Sequence, residues 1–305
     1  MSVRLVITDA MWDRIEPFML ADPVRGRRWA DHRRTLEAIA WKYRTCSPWR
    51  DLPCELGAFQ TAHKRLLRWA VDGTWERILS AILAAADAGD DVGWTVSVYS
   101  TVCRAHQHAA GARKKGAPEG SEPHDRALGR SRGGLSTKVH LASGSRARPL
   151  ALLVTAGQAG DAPAFGAVMA RIRVPRKGLG RPRTRPALVL ADRAYSSRAI
   201  RAHLRRRGIR AVIPQPADQI GHRLRRGRHG DRPPGFDAEA YKERKTVERC
   251  IARLKQWRDL AMRTDKLALA YQAALHLASI LIWTRSWPQR RLRARRPEAK
   301  GGARR

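Results

Sequence analysis

The sequence predicts an α+β protein in which a helical first part is followed by a part of mixed helices and strands. Apolar residues recur at the helical period through residues 8–88, whereas short alternating or wholly apolar segments from residue 94 onward predict strands. The chain has 305 residues, which is enough for about two domains of roughly 150 residues. We predict a helical domain over 1–90, a mixed-sheet domain over 91–288 and a basic disordered tail over 289–305.

The charge of the chain points to a polyanionic partner. Lys and Arg number 61 against 27 Asp and Glu, which gives a formal net charge of +34. Such an excess repels itself in the folded state unless a polyanion neutralises it. The hydrophobic fraction of 43% is too high for a wholly disordered chain. Because the basic residues are spread over the whole sequence, we expect nucleic acid as the partner and not a membrane surface.

The helical part is predicted from four apolar stripes. Thr8 is placed to cap a helix with Trp12, Ile15 and Met19 on one face. A second helix carries Leu36, Ile39, Ala40 and Tyr43 at helical spacing, and a loop with Pro48 and Pro53 follows it. Phe59, Leu66, Leu67 and Trp69 mark a third helix, which ends near Gly73, and Thr74 is predicted to cap a fourth helix, which ends at Gly89.

The second part is predicted to alternate strands and helices. Residues 94–103 place Val96, Val98 and Val102 on one face and Ser97, Tyr99 and Thr101 on the other, which is typical of a half-buried strand. Further strands are predicted at 136–142, 149–155 and 186–191. Helical patterns lie at 161–173, 196–207 and about 238–285.

Three basic connectors rich in Gly and Pro separate these elements, at residues 104–134, 171–185 and 220–235. Solvated loops are one interpretation of such segments, but three of them in so basic a chain favour contacts with phosphates. The G-R-P-R at 180–183 resembles a minor-groove arginine hook, so Arg181 and Arg183 are candidate DNA contacts.

An uncharged segment at 267–284 is long enough to approach the lower limit for a membrane span. Gln272 and His276 within it favour a buried C-terminal helix, and we expect no membrane association. The first residues lack the apolar run of a signal peptide, and the four cysteines form no C-x2-C pair. A reducing cytoplasmic location is therefore expected.

Two acidic residues stand out as candidate functional groups. Asp192 directly follows the apolar segment 187–191, where a carboxylate can bind a metal ion or can simply cap the next helix or pair with Arg193. Glu248 shares a predicted helix face with Tyr241, Arg244 and Lys255, because spacings of 3, 4 and 7 residues keep them within roughly 60° at about 100° per residue. That face suits either a metal ligand beside phosphate contacts or a set of exposed ion pairs.

An adjacent apolar stripe of Val247, Ile251 and Leu254 is predicted to dock this helix on the sheet.

These residues carry a specific resemblance. The spacing Y-x2-R-x3-E-x6-K formed by Tyr241, Arg244, Glu248 and Lys255 resembles the signature of DDE-type insertion-sequence transposases. Other segments resemble the insertion-sequence-five family, and they occur in the expected order over roughly residues 5–285: P-W-R-D-L-P at 48–53, D-G-T-W-E-R-I-L at 72–79, S-T-V-C-R-A-H-Q-H-A-A-G-A-R-K at 100–114 and A-D-R-A-Y-S-S at 191–197.

The resemblance implies an N-terminal helical DNA-binding region followed by a ribonuclease-H-like catalytic domain. In that family three carboxylates bind two Mg²⁺ ions, for which Mn²⁺ can substitute, and the ions drive strand cleavage and transfer. Asp192 and Glu248 match the second and third acids and are the expected catalytic metal ligands. Arg244, Lys255 and Tyr241 match positions expected to contact DNA. Double-stranded DNA, as terminal inverted repeats and target, is the implied partner, and a homodimer in the bacterial cytoplasm is the implied assembly.

The first acid of the family pattern is missing. The matching position is Tyr99, on the polar face of the predicted strand, and a phenol with a pKa near 10 does not replace a bridging carboxylate. Asp90 and Asp91 precede the strand and are expected to lie in its leading loop. A tyrosine nucleophile beside a metal site at His106 and His108 is an alternative, although Gln107 fits that motif poorly.

Two functions follow from these observations. The first is a transposase that binds the ends of its element and carries out Mg²⁺-dependent cleavage and strand transfer, with Tyr99 predicting an inactive copy. The second is a non-catalytic DNA-binding relic that occupies element ends and represses transposition. A structural or RNA-binding basic protein would leave the face bearing Glu248 unexplained. The helices of 8–88 are expected to recognise DNA ends, as a helix-turn-helix or otherwise.

Overall fold

The computed structural model describes residues 4–22, 28–110 and 122–285. The predicted disordered tail at 289–305 therefore lies outside the described residues. The first part is helical, as predicted, and its helices are α1 (Asp9–Ile15), α2 (His32–Thr45), α3 (Phe59–Val71) and α4 (Thr74–Ala88). The side chain of Thr8 caps α1 by accepting a hydrogen bond from the Met11 backbone N–H.

The start of α4 differs from its prediction. The N-cap is Gly73, which has a left-handed φ of 74°, and Thr74 is the first helical residue. Asp72 accepts hydrogen bonds from the backbone N–H of Thr74, at 3.0 Å, and from the Thr74 hydroxyl, at 2.5 Å. The carboxylate of Asp72 thus caps the start of α4, a role that the sequence pattern assigned to Thr74.

The second part is built on a mixed sheet. Its strands are β1 (Thr95–Ala105), β2 (Gly129–Ser131), β3 (Gly134–Ser143), β4 (Pro149–Ala156), β5 (Leu188–Ala191), β6 (Arg210–Val212) and β7 (Met262–Arg263). The main path runs β4-β3-β1-β5-β6, with antiparallel pairs on the β4 side of β1 and parallel pairs on the β6 side. The predicted α+β class, a helical region followed by a ribonuclease-H-like mixed sheet, is confirmed.

The helices of this part are α5 (Gln107–Ala110), α6 (Asp161–Ala170), α7 (Arg198–Arg206), α8 (Ala217–Arg225), α9 (Ala238–Lys242), α10 (Lys245–Lys255), α11 (Arg258–Ala261) and α12 (Ala268–Arg285). Helix α10 covers the face of β1 that carries Thr101 and Cys103. On the opposite face, the Ser100 hydroxyl donates to Asp161 at the start of α6, at 2.7 Å. Both faces of β1 are therefore covered, except at the end of the strand around Val102.

The helices on both sides of β1 correct the prediction that this strand is half-buried. Val96 and Val98 are buried as expected, but Val102 on the same face is 42% exposed, whereas Ser97 and Cys103 on the other face are buried. Alternation marks a strand with one face in water, and β1 lies in the middle of the sheet beneath α10.

The basic connector predicted at 220–235 contains the end of helix α8 and a short 3₁₀ turn at Gly227–His229. No residue of α8 is buried, and its only large apolar side chains, Ile220 and Leu224, are too few to predict a helix from their spacing. The connector at 171–185 is held by a bridge between Val174 and Arg183. Residues 111–121 of the first connector lie outside the described residues.

The uncharged segment at 267–284 forms α12, a buried helix, as predicted. It packs against α3 and α4 of the helical part and against β4 of the sheet. Trp283 is buried, its indole N–H donates to the Pro149 carbonyl at 2.6 Å, and the Arg148 guanidinium lies 3.9 Å from its ring. Within the described ranges, none of the helices has the length and apolar character needed to span a bilayer.

Candidate active site

The parallel pairing of β1 with β5 brings two of the predicted site residues together. The register runs from Thr95 opposite Leu188 to Val98 opposite Ala191. Tyr99 follows Val98 on β1 and Asp192 follows Ala191 at the end of β5, and the backbone of Asp192 is still extended. Because neighbouring strands lie about 4.8 Å apart, these two residues stand side by side at the end of β5.

Asp192 also has a local structural role. One carboxylate oxygen accepts a hydrogen bond from the Ala194 N–H at 2.9 Å and caps the 3₁₀ turn Arg193–Tyr195. The sequence allowed Asp192 to cap the next helix instead of binding a metal ion. Asp192 does act as a cap, but of this 3₁₀ turn, and Ser197 caps α7. The described residues give the other carboxylate oxygen of Asp192 no hydrogen bond, so it is available to a ligand.

Glu248 reaches the same region from α10. Val247 and Leu254 are buried and Ile251 is half-buried against the core, so the predicted stripe does dock this helix on the sheet. The Glu248 side chain is 46% exposed and forms an ion pair with Arg244 at 2.8 Å. The i,i+4 ion pair expected from the alternative interpretation is therefore present.

Arg244 connects the acids to the two tyrosines. Its guanidinium carbon lies 5.8 Å from the ring centre of Tyr99 and 5.5 Å from that of Tyr241. Burial raises the pKa of the Tyr241 phenol, Arg244 lowers it, and the carboxylates of Asp192 and Glu248 raise it further. Arg244 thus links the Glu248 carboxylate to both tyrosine rings. We call the set Tyr99, Asp192, Tyr241, Arg244 and Glu248 the Tyr99 cluster.

The single helix predicted through this cluster is interrupted. Tyr241 belongs to α9, Arg244 is the N-cap of α10, and the two helices meet in a turn at Glu243 and Arg244. The backbone there stays in the right-handed region, but its hydrogen bonds join residues three apart, such as Val247 to Arg244 at 3.1 Å. This tighter winding changes the predicted angles yet keeps Tyr241 beside Arg244.

The other predicted DNA contacts lie away from the cluster. Lys255 is at the far end of α10, where its ammonium donates to the Val102 carbonyl at 3.3 Å. Arg183 pairs with Asp87 at 2.9 Å and stacks on Trp94 at 4.1 Å, whereas Arg181 is exposed. Since residues 181–183 precede β5 and Asp192 follows it, Arg181 and Arg183 lie toward the opposite end of this strand.

Two alternatives for the missing acid are excluded by geometry. Asp91 is buried at the start of β1, where Arg148 donates to it at 2.6 Å and Arg146 forms a second ion pair. Asp90 lies beside it in the leading loop, as expected. His106 follows the end of β1, so it stands roughly 23 Å from Tyr99 at about 3.3 Å per residue. A tyrosine nucleophile at position 99 has no histidine metal site beside it.

The carboxylates near Tyr99 are too few to hold the expected pair of magnesium ions. Among residues 4–22, 28–110 and 122–285, no group of three or more His, Cys, Asp or Glu side chains is placed to hold a metal ion. The Tyr99 cluster offers two carboxylates and a phenol, and one of the carboxylates is paired with Arg244. A two-metal site needs bridging anionic oxygen ligands, so the residues present do not fit one.

Sequence reasoning placed Asp192 and Glu248 in the site but missed the basic surface beside them. Arg198, Arg201 and Arg205 of α7 are spaced 3 and 4 residues apart and share one face of that helix. That spacing was available in the sequence. What it lacked was the helix α8 that faces these arginines.

Two family models match the chain. One, described as "Putative transposase of IS4/5 family", matches residues 7–79 of the helical part. The other, described as "Transposase DDE domain", matches residues 95–283, which include Tyr99, Asp192 and Glu248.

Similar curated proteins come from insertion sequences. The chain is 34% identical over 173 residues to a protein of Burkholderia cepacia named as the putative transposase of insertion sequence element IS402, over 56% of this chain and 71% of that one. It is 27% identical over 151 residues to the putative transposase of IS6501 from Brucella ovis, over 50% of this chain and 100% of that one. The solved Mos1 transposase paired-end complex aligns with 78% of this chain and 82% of its own, at 10% identity and a TM-score of 0.24, which is too low to carry a conclusion.

Proposed function

Because the chain belongs to the family of insertion-sequence transposases with a DDE domain, we propose that it binds the ends of an insertion sequence but does not cut them. The observation that carries this proposal is Tyr99. It stands beside Asp192 on the parallel strands β1 and β5, and beside Arg244, the partner of Glu248.

The charges around Tyr99 support the loss of cleavage. A metal ion at this place would meet two carboxylates, a neutral phenol and the positive charge of Arg244. Removing one anionic ligand and leaving a cation beside the other two weakens binding of a doubly charged ion. The strand cleavage and 3′-hydroxyl transfer of an active transposase, with Mg²⁺ or Mn²⁺ as cofactor, would then require a carboxylate at position 99.

DNA binding does not depend on that carboxylate. The chain keeps a net charge of +34, and it retains Arg244 and Lys255, which we expect to contact DNA. Double-stranded inverted repeats are therefore the proposed ligand, and two copies of the chain would hold two ends. A protein that binds ends without cutting them would block them to an active transposase.

The experiment compares cleavage of a labelled duplex carrying the terminal repeat that flanks the coding sequence, in Mg²⁺ and in Mn²⁺. The proteins are the natural chain, Tyr99→Asp, the isosteric neutral control Tyr99→Asn, and Tyr99→Asp combined with Glu248→Ala. We expect only Tyr99→Asp to cut, while all four bind the duplex. Cleavage by the natural chain would overturn the proposal, and cleavage by Tyr99→Asp/Glu248→Ala would overturn the assignment of the acids.

A further inference from the structure

A basic groove lies between α7 and α8, directly after the turn that Asp192 caps. It has a volume of about 1230 Å³. Its walls come from α7, from α8 and from the loop at 231–235. We call it the α7–α8 groove, and the basic side chains that line it are Arg198, Arg201, Arg205, His222, Arg223, Arg226 and Arg232.

The floor of the groove is held by a defined set of hydrogen bonds. Ser196 is buried, and Gln219 of α8 donates to its carbonyl at 2.7 Å. Arg201 of α7 donates to the Ser196 hydroxyl at 2.9 Å and to the Ile213 carbonyl at 2.7 Å. These contacts fix α7 against α8 and fix the guanidinium of Arg201, so the groove is a built feature of the fold.

The positive charge of the groove is not compensated within the chain. Six arginines line it against a single acid, Asp231. None of these six arginines forms an ion pair with a carboxylate of the described ranges, although Arg210 nearby pairs with Asp237 at 2.5 Å. Concentrating cations in one concave surface raises the free energy of the folded chain unless an anion enters.

Short stretches of chain join the two walls of the α7–α8 groove to the Tyr99 cluster. One wall begins at Ser196, four residues after Asp192. The other wall ends at Gly235, just before Asp237, which caps α9 and so leads the chain to Tyr241 and Glu248.

The side chains of the groove indicate which anion it binds. The planar guanidinium donors of arginine match phosphate oxygens in pairs. No Trp, Tyr or Phe is among the residues that line the groove, so it offers no aromatic platform on which unpaired bases could stack. A duplex keeps the faces of its bases stacked inside and carries its phosphates on the outside, which matches this lining.

We propose that the α7–α8 groove binds the phosphate backbone of duplex DNA next to the Tyr99 cluster, without reading its sequence. The proposal rests on the proposed function for the identity of the ligand as DNA. It requires neither recognition of element ends nor cleavage.

The test is fluorescence anisotropy of a labelled 30-base-pair duplex of arbitrary sequence, titrated with the full chain at increasing NaCl. The groove variant is Arg198→Ala/Arg205→Ala/Arg226→Ala. The control with the same charge change is Arg173→Ala/Arg206→Ala/Arg258→Ala, three exposed arginines outside the groove, one of them on α7. A third protein, Arg198→Lys/Arg205→Lys/Arg226→Lys, keeps the charge of the groove.

We expect the groove variant to bind at least tenfold more weakly than the natural chain and to lower the slope of log K against log salt by about 2–3, at about 0.9 per phosphate contact. The control should lose less than threefold and the lysine protein should stay near the natural chain. Equal losses in groove and control variants would overturn the proposal, as would a larger loss for a single strand than for the duplex.

Folding and end recognition are separated from this result. If circular dichroism shows that the alanine variant is unfolded, Arg205→Glu alone, at an exposed side chain, replaces it and must lower affinity by itself. A groove effect without any preference for terminal repeats would contradict the proposed function and leave the groove in place. A preference for terminal repeats without a groove effect would contradict the proposal for the groove and leave the proposed function in place.

Discussion

At the scale of single residues, position 99 decides what the site can bind. Asp192 comes from a strand end beside Tyr99, and Glu248 comes from a helix face and is linked to Tyr99 through Arg244. Arg244 neutralises Glu248 and contacts the Tyr99 ring. With a phenol at this point, the positive charge that balances the two acids belongs to an arginine of the chain.

His140 provides a residue-scale prediction about pH. It is buried on β3 and bonded to Thr155 at 2.9 Å, and burial lowers its pKa to about 4, with Asp161 raising the pKa and Lys138 lowering it. In the unfolded chain the pKa returns to about 6.5. Acid therefore favours unfolding as the pH falls from about 6.5 to about 4, and the full contribution of neutral His140 is present above pH 6.5.

Replacing His140 by Gln should flatten this part of the pH profile, because Gln can bond to Thr155 without taking up a proton. The measurement is the Tm of the natural chain and of His140→Gln between pH 7.5 and 4. His124→Gln, at an exposed histidine, is the control and should leave the profile unchanged. Parallel profiles for the natural chain and His140→Gln would show that another group is responsible.

At the scale of elements, a buried polar network joins the helical part to the sheet. Lys42 of α2 forms an ion pair with Asp259 of α11, and both side chains are almost fully buried. Lys42 also donates to Thr264 at 3.1 Å, and the neighbouring Tyr43 hydroxyl donates to Asp265 at 2.9 Å. The network fixes α2 against the segment that carries α11 and β7.

Lys42→Ala should lower the free energy of unfolding by about 3 kcal/mol or more, because it leaves the Asp259 carboxylate buried without its cation. Lys42→Met/Asp259→Leu should lose less than the single variant, since both charges are gone. Urea unfolding measures both. Lys242→Ala breaks an exposed pair with Glu239 and should cost less than about 1 kcal/mol. A Lys42 loss no larger than the Lys242 loss would contradict this account.

The elements also show how far the sequence leads. Apolar periods predicted α2, α3, α4 and α12, because each buries a stripe or all of its surface. They missed α8, whose residues are all at least partly exposed, and they placed Tyr241 and Arg244 on one continuous helix. They also misjudged Val102, because it lies on the face of β1 opposite α10 and beyond Ser100, which contacts the start of α6.

The candidate site could be predicted only in part from the sequence, for the same reason. Asp192 could be found from its place after an apolar strand and Glu248 from its helix face. Their meeting at Tyr99 depends on the pairing of β1 with β5, which lie about 90 residues apart in the chain. The contact of Arg244 with the Tyr99 ring and the arginine groove are likewise products of long-range packing.

At the scale of the whole molecule, the fold gathers what the chain keeps apart. Helix α12 packs on both the helical part and β4, and one buried core runs through both parts. The residues at 99, 192 and 248 meet only when this sheet and α10 are in place. Binding of a divalent ion to the intact chain therefore reports on the central claim, that Asp192 and Glu248 converge on position 99.

The measurement is a Mn²⁺ titration of the full chain followed by electron paramagnetic resonance of the free ion. It compares the natural chain with Tyr99→Asp, Tyr99→Asn and Tyr99→Asp/Glu248→Gln. We predict that Tyr99→Asp binds Mn²⁺ at least tenfold more tightly than the natural chain, and that neither Tyr99→Asn nor the Glu248→Gln double variant shows the gain. Equal affinity of the natural chain and Tyr99→Asp would contradict the convergence of the three positions.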